Sequence, residues 1–372
     1  MPLPAPASPG IALDEIDTPA LVVDLDAIEG NIARMAKAVE GGAVRLRPHA
    51  KSHKCAEIAR KQIAAGAVGV CSQKVSEAEA LVAGGVADVL VTNEIVGKTK
   101  VARLARLAHE AKVAVLADDA GNVAALDAAA RSERVRLDVL VEIDVGAHRC
   151  GIEPGEPALA LARSIASCRN LRLAGLHAYH GAAQHVRSAE ERRAAIAAAA
   201  EKARMTKTLI EKAGMACDTI TGAGTGTFLI EGASRVFNEI QPGSYVFMDA
   251  DYNRNAWEEG WPRFVQSLFV LATVMSAPSP DRAVVDAGLK ASSVDSGMPL
   301  VHQRAGVEYA KASDEHGVLK IASGAKAPKL GEKILLVPGH CDPTVNLYDW
   351  FVCVRKGKVE ALWPVTARGA LY

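Results

Sequence analysis

Aromatic residues are scarce: Phe, Trp and Tyr make up 4% of the 372 residues, although 49% of the chain is hydrophobic. Small aliphatic side chains, alanine above all, must therefore build the core, which suits a helix-rich globular protein. Net charge is lacking as well. The 43 lysines and arginines are balanced by 43 acidic residues, which argues against nucleic acid or an anionic membrane surface as the main partner. No apolar run approaches the roughly 20 residues of a membrane span, so no membrane partner is expected. The first residues, MPLPAPASPGIALDE, carry neither the basic start nor the apolar stretch of a secretory signal and read as a flexible proline-rich arm. The seven cysteines (Cys55, Cys71, Cys150, Cys168, Cys217, Cys341, Cys353) are odd in number and lack C-x-x-C spacing. A disulfide framework is not expected, and a reduced, cytoplasmic protein is. No G-x-G-x-x-G follows the first strand candidate, which weakens a dinucleotide-binding reading.

What is present is an alternation. From residue 18 to about 255, short β-rich runs are followed by longer alanine-rich helical runs. Strand candidates are Ala20–Leu25, Val44–Arg47, Val68–Ser72, Asp88–Thr92, Val113–Ala117, Leu137–Ile143, Leu171–Ala178 and Thr219–Thr221. One helical connection between successive strands implies parallel pairing, and about eight such units predict a closed (β/α)8 barrel. Beyond residue 255 helical periodicity ends. Runs such as Ser267–Val274, Lys333–Val337 and Val359–Trp363 alternate with Gly, Pro and Asp turns, as expected of an all-β domain over 256–372. The expected organisation is an arm (1–17), an α/β barrel (18–255) and a β domain (256–372).

Three stretches carry chemistry. Arg47-Pro-His-Ala-Lys-Ser-His-Lys54 lies where a strand hands over to a helix, at the strand end where barrels build active sites. Lys51 and Lys54 compete as a desolvated amine for Schiff-base chemistry. Lys51 is nearer the strand end, and Lys54 is expected to point to solvent. Thr219-Ile-Thr-Gly-Ala-Gly-Thr-Gly-Thr227 offers backbone amides that can converge on a phosphate, though a tight strand exit explains it equally well. In Pro338-Gly-His-Cys-Asp-Pro-Thr344, an extended chain would project His340 and Asp342 together and Cys341 to the other side. That pair suits a catalytic Mn²⁺, Mg²⁺ or Zn²⁺ with open coordination positions. An inward Cys341 would instead favour a softer zinc site. Arg149, Tyr179 and His180 follow further strand candidates.

The motifs PHAKSHK, CSQKVSEAEAL, VTNEIVG, DVGAHRCG, TITGAGTG, QPGSYVFMDADY, DAGLKA, SDEHG and PGHCDPT, in this order, resemble those of metal-dependent D-threonine aldolases and 3-hydroxy-D-aspartate aldolases. These are pyridoxal 5'-phosphate (PLP) enzymes of fold-type III, built like alanine racemase. The resemblance runs from about residue 15 to the C-terminus. It implies that Lys51 is the lysine that bonds PLP, and that Gly224 and Thr225 hold its phosphate with Ser244 and Tyr245. Tyr179 would partner the pyridine nitrogen and Arg149 the phenolic oxygen. His340 and Asp342 would hold the divalent metal, with Mn²⁺ expected first. His49, His53 and Lys54 are left as supporting residues. The implied reaction cleaves D-β-hydroxy-α-amino acids to glycine and an aldehyde, with a metal-bound hydroxide or a histidine such as His185 taking the β-hydroxyl proton. A homodimer is implied too.

The related D-serine and 3-hydroxy-D-aspartate dehydratases place H-x-C where this chain has H-x-D, so Asp342 leans toward aldol cleavage. Among aldolases, His177-Ala-Tyr-His180 resembles the low-specificity threonine type, whereas the C-terminal run GHCDPTVNLYDWF resembles the 3-hydroxyaspartate type. D-Threonine is placed first. A reading of another class, a non-catalytic PLP carrier, is disfavoured because barrel-only carriers have no β domain and no metal motif.

Overall fold

In the computed structural model, which describes residues 4–372, the chain forms two sheets. Helix α1 (Leu25–Val39) follows strand β1 (Ala20–Asp24), and its start is capped by Asp24, whose carboxylate accepts the Ala27 amide at 3.0 Å. Leu25, Ile28, Ile32 and Met35 form its buried stripe. The barrel strands are β2 (Arg45–Leu46), β3 (Val70–Ser72), β4 (Asp88–Glu94), β5 (Lys112–Ala117), β6 (Leu137–Glu142), β7 (Leu171–His177), β8 (Thr219–Gly222) and β9 (Glu239–Ile240). All pair in parallel, in the order β2-β9-β8-β7-β6-β5-β4-β3. The edges β2 and β3 meet through Val68 N–H to Leu46 O (2.9 Å) and Cys71 N–H to Pro48 O (2.8 Å). Helices α2 (Ala56–Ala64), α3 (Val75–Ala83), α4 (Lys98–Leu107), α5 (Ala120–Glu133), α6 (Glu156–Ser167), α7 (Ala189–Lys212) and α8 (Phe228–Ala233) connect them.

These strands are buried on both faces, so they read as continuous apolar runs. Val89, Val91, Val113, Val115, Val139 and Val141 pack with the helices. Leu90, Leu116, Leu140 and Cys71 cluster separately, as the barrel's inner plug. The period of two then carries polar residues to the upper end: Thr92 and Glu94 continue the face of Leu90, and Glu142 that of Leu140.

The second sheet comprises β1, β10 (Leu268–Ser279), β11 (Arg282–Val285), β12 (Leu300–Val301), β13 (Val307–Ala312), β14 (Gly317–Ile321), β15 (Lys333–Val337), β16 (Trp350–Arg355) and β17 (Lys358–Pro364). One short helix, α9 (Cys341–Val345), interrupts it.

Three sequence expectations are corrected here. Ala20–Leu25, expected to open the barrel, instead pairs antiparallel with β10 (Ala20 opposite Leu271) and parallel with β16 (Val22 opposite Val352). The eighth barrel strand is β9, two residues long and hidden in a loop-like stretch. The arm is not free: Gly10 N–H reaches Val359 O (2.8 Å), and Ile11 and Leu13 pack against the β1–β16 core. Lys54 does not face solvent. It is 6% exposed, pairs with Glu77 at 2.7 Å and donates to Ala367 O at 3.2 Å, so it fastens the C-terminal tail to the barrel.

Barrel closure places Arg47 in a buried position between Glu239 (3.0 Å) and Asp88 (2.6 Å). Residue 69 must be glycine to admit it, since a Cβ there would stand 2.5 Å from the Arg47 guanidinium. Arg47→Met would leave the buried Glu239 carboxylate with only the half-exposed Arg45, 3.6 Å away. Urea unfolding of this variant is expected to show a loss of about 3–5 kcal/mol; a loss below about 1 kcal/mol would mean the pair is dispensable.

Candidate active site

A cavity of about 340 Å³ opens at the C-terminal ends of the barrel strands, where α9 of the second sheet covers them. Strand ends supply most of its lining. Lys51 stands on the turn after β2, Arg149 beyond β6, Tyr179 and His185 after β7, Gly224 and Thr225 after β8, and Ser244 after β9. His340 and Asp342 arrive from the other sheet. Nine of the ten residues singled out in the sequence thus line one space. Tyr245 does not: its ring packs on Phe264 and its hydroxyl accepts from Gln62 at 3.0 Å, inside the core.

Lys51 donates to Asp342, joining the two sheets by an ion pair. Burial alone would lower the lysine pKa, as expected from the sequence. The Asp342 carboxylate outweighs it and raises the lysine well above its ordinary value. Burial pushes Asp342 up, but Lys51 and then His340 bring it down to about 2. The carboxylate is therefore ionised and already holds a cation.

His340 and Asp342 do share a face, though not because the chain is extended. His340 is the extended residue before α9, and Asp342 lies in its first turn. Cys341 is fully buried and does not line the cavity: its amide donates to Asp249 at 3.0 Å, its Sγ lies 3.3 Å from Asp342 Oδ1, and burial beside Asp249 and Asp342 keeps its thiol protonated. His340 Nδ1 is 2.8 Å from Asp295, which leaves Nε2 for the cavity. An imidazole nitrogen oriented by a carboxylate, beside an ionised carboxylate, fits a divalent cation. Among the described residues no cluster of three or more His, Cys, Asp or Glu side chains completes a closed metal cage.

The glycine loop fits a phosphate. Among the described residues no protein acceptor lies in hydrogen-bond reach of the Gly224 or Thr225 amide. A Cβ at residue 224 would stand 2.5 Å from Gln184 Oε1, so glycine is needed for that close approach. Thr225 Oγ1 accepts the Tyr245 amide at 3.0 Å, which gives Tyr245 a backbone part in the loop. Arg149 lies over the Tyr179 ring at 5.6 Å. Burial, eased by Lys51 and Arg149, keeps the Tyr179 phenol protonated.

His49, expected only as a supporting residue, lines the cavity, and several lining residues were not anticipated: Gln73, Thr92, His177, Gln241 and Tyr252. Most sit at or just past a barrel strand end, so the strand-end rule applied to every strand would have found them. His49 Nδ1 accepts the Lys51 amide at 3.3 Å, and its Nε2 faces Thr92 Oγ1 at 2.9 Å. Burial and then Lys51 hold it neutral. Below the cavity, Glu142 faces His177 Nδ1 at 3.7 Å.

Comparison with known proteins defines the class. Residues 23–251 match the alanine racemase N-terminal domain, and residues 267–354 a serine dehydratase domain. The chain is 48% identical to a D-threonine aldolase from Arthrobacter sp. over 99% of its length and 97% of that protein. It is also 48% identical to a 3-hydroxy-D-aspartate aldolase from Paracoccus denitrificans, over 99% of this chain and 96% of that one. The crystal structure of D-threonine aldolase from Filomicrobium marinum superposes with a TM-score of 0.97 at 50% identity, covering 100% of both chains. The protein belongs to the family of these aldolases, built on the alanine racemase fold.

Glu94 provides a pH test of this site. Burial and the neighbouring Glu142 raise its carboxyl to about 8. With a folded pKa above the ordinary 4.5, its contribution to stability is full below the ordinary value and is lost as pH rises toward about 8. Glu94→Gln cannot ionise. Thermal melts at about pH 5 and pH 8 should show the variant gaining Tm on wild type as pH rises; a pH-independent difference would show that Glu94 is ionised throughout.

Proposed function

We propose that the protein cleaves D-β-hydroxy-α-amino acids by a retro-aldol reaction, giving glycine and an aldehyde, with D-threonine as first substrate. The observation that carries this reading is the convergence of Lys51, the glycine loop and the His340–Asp342 pair on one cavity. Lys51 would hold PLP, with Gly224, Thr225 and Ser244 at the phosphate, and His340 and Asp342 would hold a divalent cation. When bound, PLP supplies an electron sink for Cα and the cation acidifies the β-hydroxyl as a Lewis acid.

The chain's own groups supply the rest. Lys51 would anchor the cofactor at the barrel end, with Tyr179 as the partner of its pyridine nitrogen and Arg149 as that of its phenolic oxygen. His185, whose ring lines the cavity, takes the proton from the β-hydroxyl oxygen at Nε2. Among metals, Mn²⁺ suits a mixed imidazole and carboxylate pair with most positions open, ahead of Mg²⁺ and Zn²⁺. Asp342 in place of a thiolate favours cleavage over dehydration. The working form is a homodimer, and the seven free cysteines suit a reducing cytoplasm. No helix of the described residues is long and apolar enough to cross a membrane.

A second substrate has a specific observation in its favour. Identity to the 3-hydroxy-D-aspartate aldolase equals that to the D-threonine enzyme, so D-3-hydroxyaspartate belongs in the same assay. Purified protein with PLP and Mn²⁺ should release glycine and aldehyde from D-threonine and none from L-threonine, with activity lost in EDTA. Ammonia and a 2-oxo acid instead would establish dehydration. His340→Ala should lower activity at least about a hundred-fold while the PLP absorbance band is kept; full activity in that variant would remove the metal from the reaction.

A further inference from the structure

We propose that Asp251 is a positioning residue that fixes the tautomer and direction of the His185 ring, and that it does so from the segment that also seats the metal motif. This rests on the reading of His185 as the base.

The backbone of His185 is held from one side by its neighbour. Gln184 is 1% exposed and keyed into the glycine loop: its Oε1 accepts the Gly226 amide at 2.9 Å, and its Nε2 donates to Thr227 Oγ1 at 2.8 Å. Asn255 Nδ2 donates to the Gln184 carbonyl at 2.9 Å. The His185 side chain, by contrast, is half exposed to the cavity, so packing alone does not set its ring. Two contacts do. The ring lies against Tyr252 with centroids 5.8 Å apart, and Nδ1 is 2.5 Å from Asp251 Oδ2.

An ionised carboxylate only accepts, so Nδ1 must carry a proton, and in the neutral tautomer that this contact selects Nε2 is the atom with the lone pair. Nε2 has no protein partner among the described residues, and the ring lines the cavity. Asp251 is itself buried and held in place. Arg187 pairs with its carboxylate and donates to its carbonyl at 2.8 Å, and Arg254 Nη2 stands 3.2 Å from Oδ1. With two arginines on the other oxygen, Oδ2 is turned to His185. The Asp251 amide donates to Gly339 O at 3.2 Å, next to His340. One residue thus registers a base on the β7 side against the metal motif of the other sheet.

Asp251→Asn is the direct test. With its oxygen kept on the arginines, the amide would turn N–H toward Nδ1 and force the proton to Nε2. We expect kcat to fall about a hundred-fold with KM within about two-fold of wild type, and partial recovery in Asp251→Glu. PLP absorbance and Mn²⁺ binding should be unchanged. His185→Gln and the double variant should then have equal kcat, because a group acting only through His185 has nothing left to lose. Wild-type kcat in Asp251→Asn, or a further loss in the double variant, would overturn the proposal. Should Asp251→Asn not fold, ¹⁵N-histidine NMR of the wild-type holoenzyme, with His185→Gln for assignment, decides: a proton on Nδ1 supports the proposal and one on Nε2 overturns it. Full activity in His185→Gln would instead overturn the base assignment itself, whatever tautomer the ring holds.

Discussion

The ion pair between Lys51 and Asp342 is the contact on which the site depends. Lys51 belongs to the turn after the first barrel strand and Asp342 to the short helix of the other sheet. Neither sheet alone encloses the cavity. A lysine brought there without a counter-charge would lose its proton to burial, and a carboxylate without a cation would gain one. Together they stay ionised, and the lysine occupies the positive position that the carboxylate is built to attract. Three residues on, Lys54 binds the C-terminal tail, so the loop bearing Lys51 is fastened from both sides.

Around this contact the barrel top follows a simple rule. The inward faces of β4 and β6 are apolar in the plug, at Leu90 and Leu140, and polar one step above it, at Thr92 and Glu142. Buried polar groups there are tolerated where they find partners: His49 with Thr92, His177 with Gln241, Gln184 with the glycine loop. Glu94 and Glu142 are exceptions of a useful kind. Two carboxyls this close cannot both ionise, so burial and mutual repulsion drive Glu94 up while His177 and Arg149 help hold Glu142 down. Charge beneath the cavity is therefore set by neighbours rather than by residue type.

The local pattern made much of this legible. Parallel strands followed by alanine-rich helices have a strong period, and the expected strand Asp88–Thr92 lies within β4, which runs two residues further to Glu94. Lys51, Arg149, Tyr179 and the glycine loop were identifiable because barrel chemistry gathers at strand ends. The misses share one cause. β1 reads like a barrel strand because a strand buried on both faces looks alike in either sheet, and its partners Leu271 and Val352 lie far along the chain. β9 is too short to show a period. Lys54 looks like a solvated helix start, and only the tail returning from residue 367 makes it a buried hub.

Composition and local order by themselves determined the α/β alternation, the β-rich C-terminal part, and the lysine, glycine loop and His-x-Asp pair that the chemistry needs. These are properties of neighbouring residues, set by period and by side-chain type. Tertiary structure alone decided that Lys51 meets Asp342, that His340 and Asp342 line the cavity while Cys341 is buried behind it, and that Asp251 reaches His185. Such contacts join residues tens to hundreds of positions apart, and their geometry exists only once both sheets have packed.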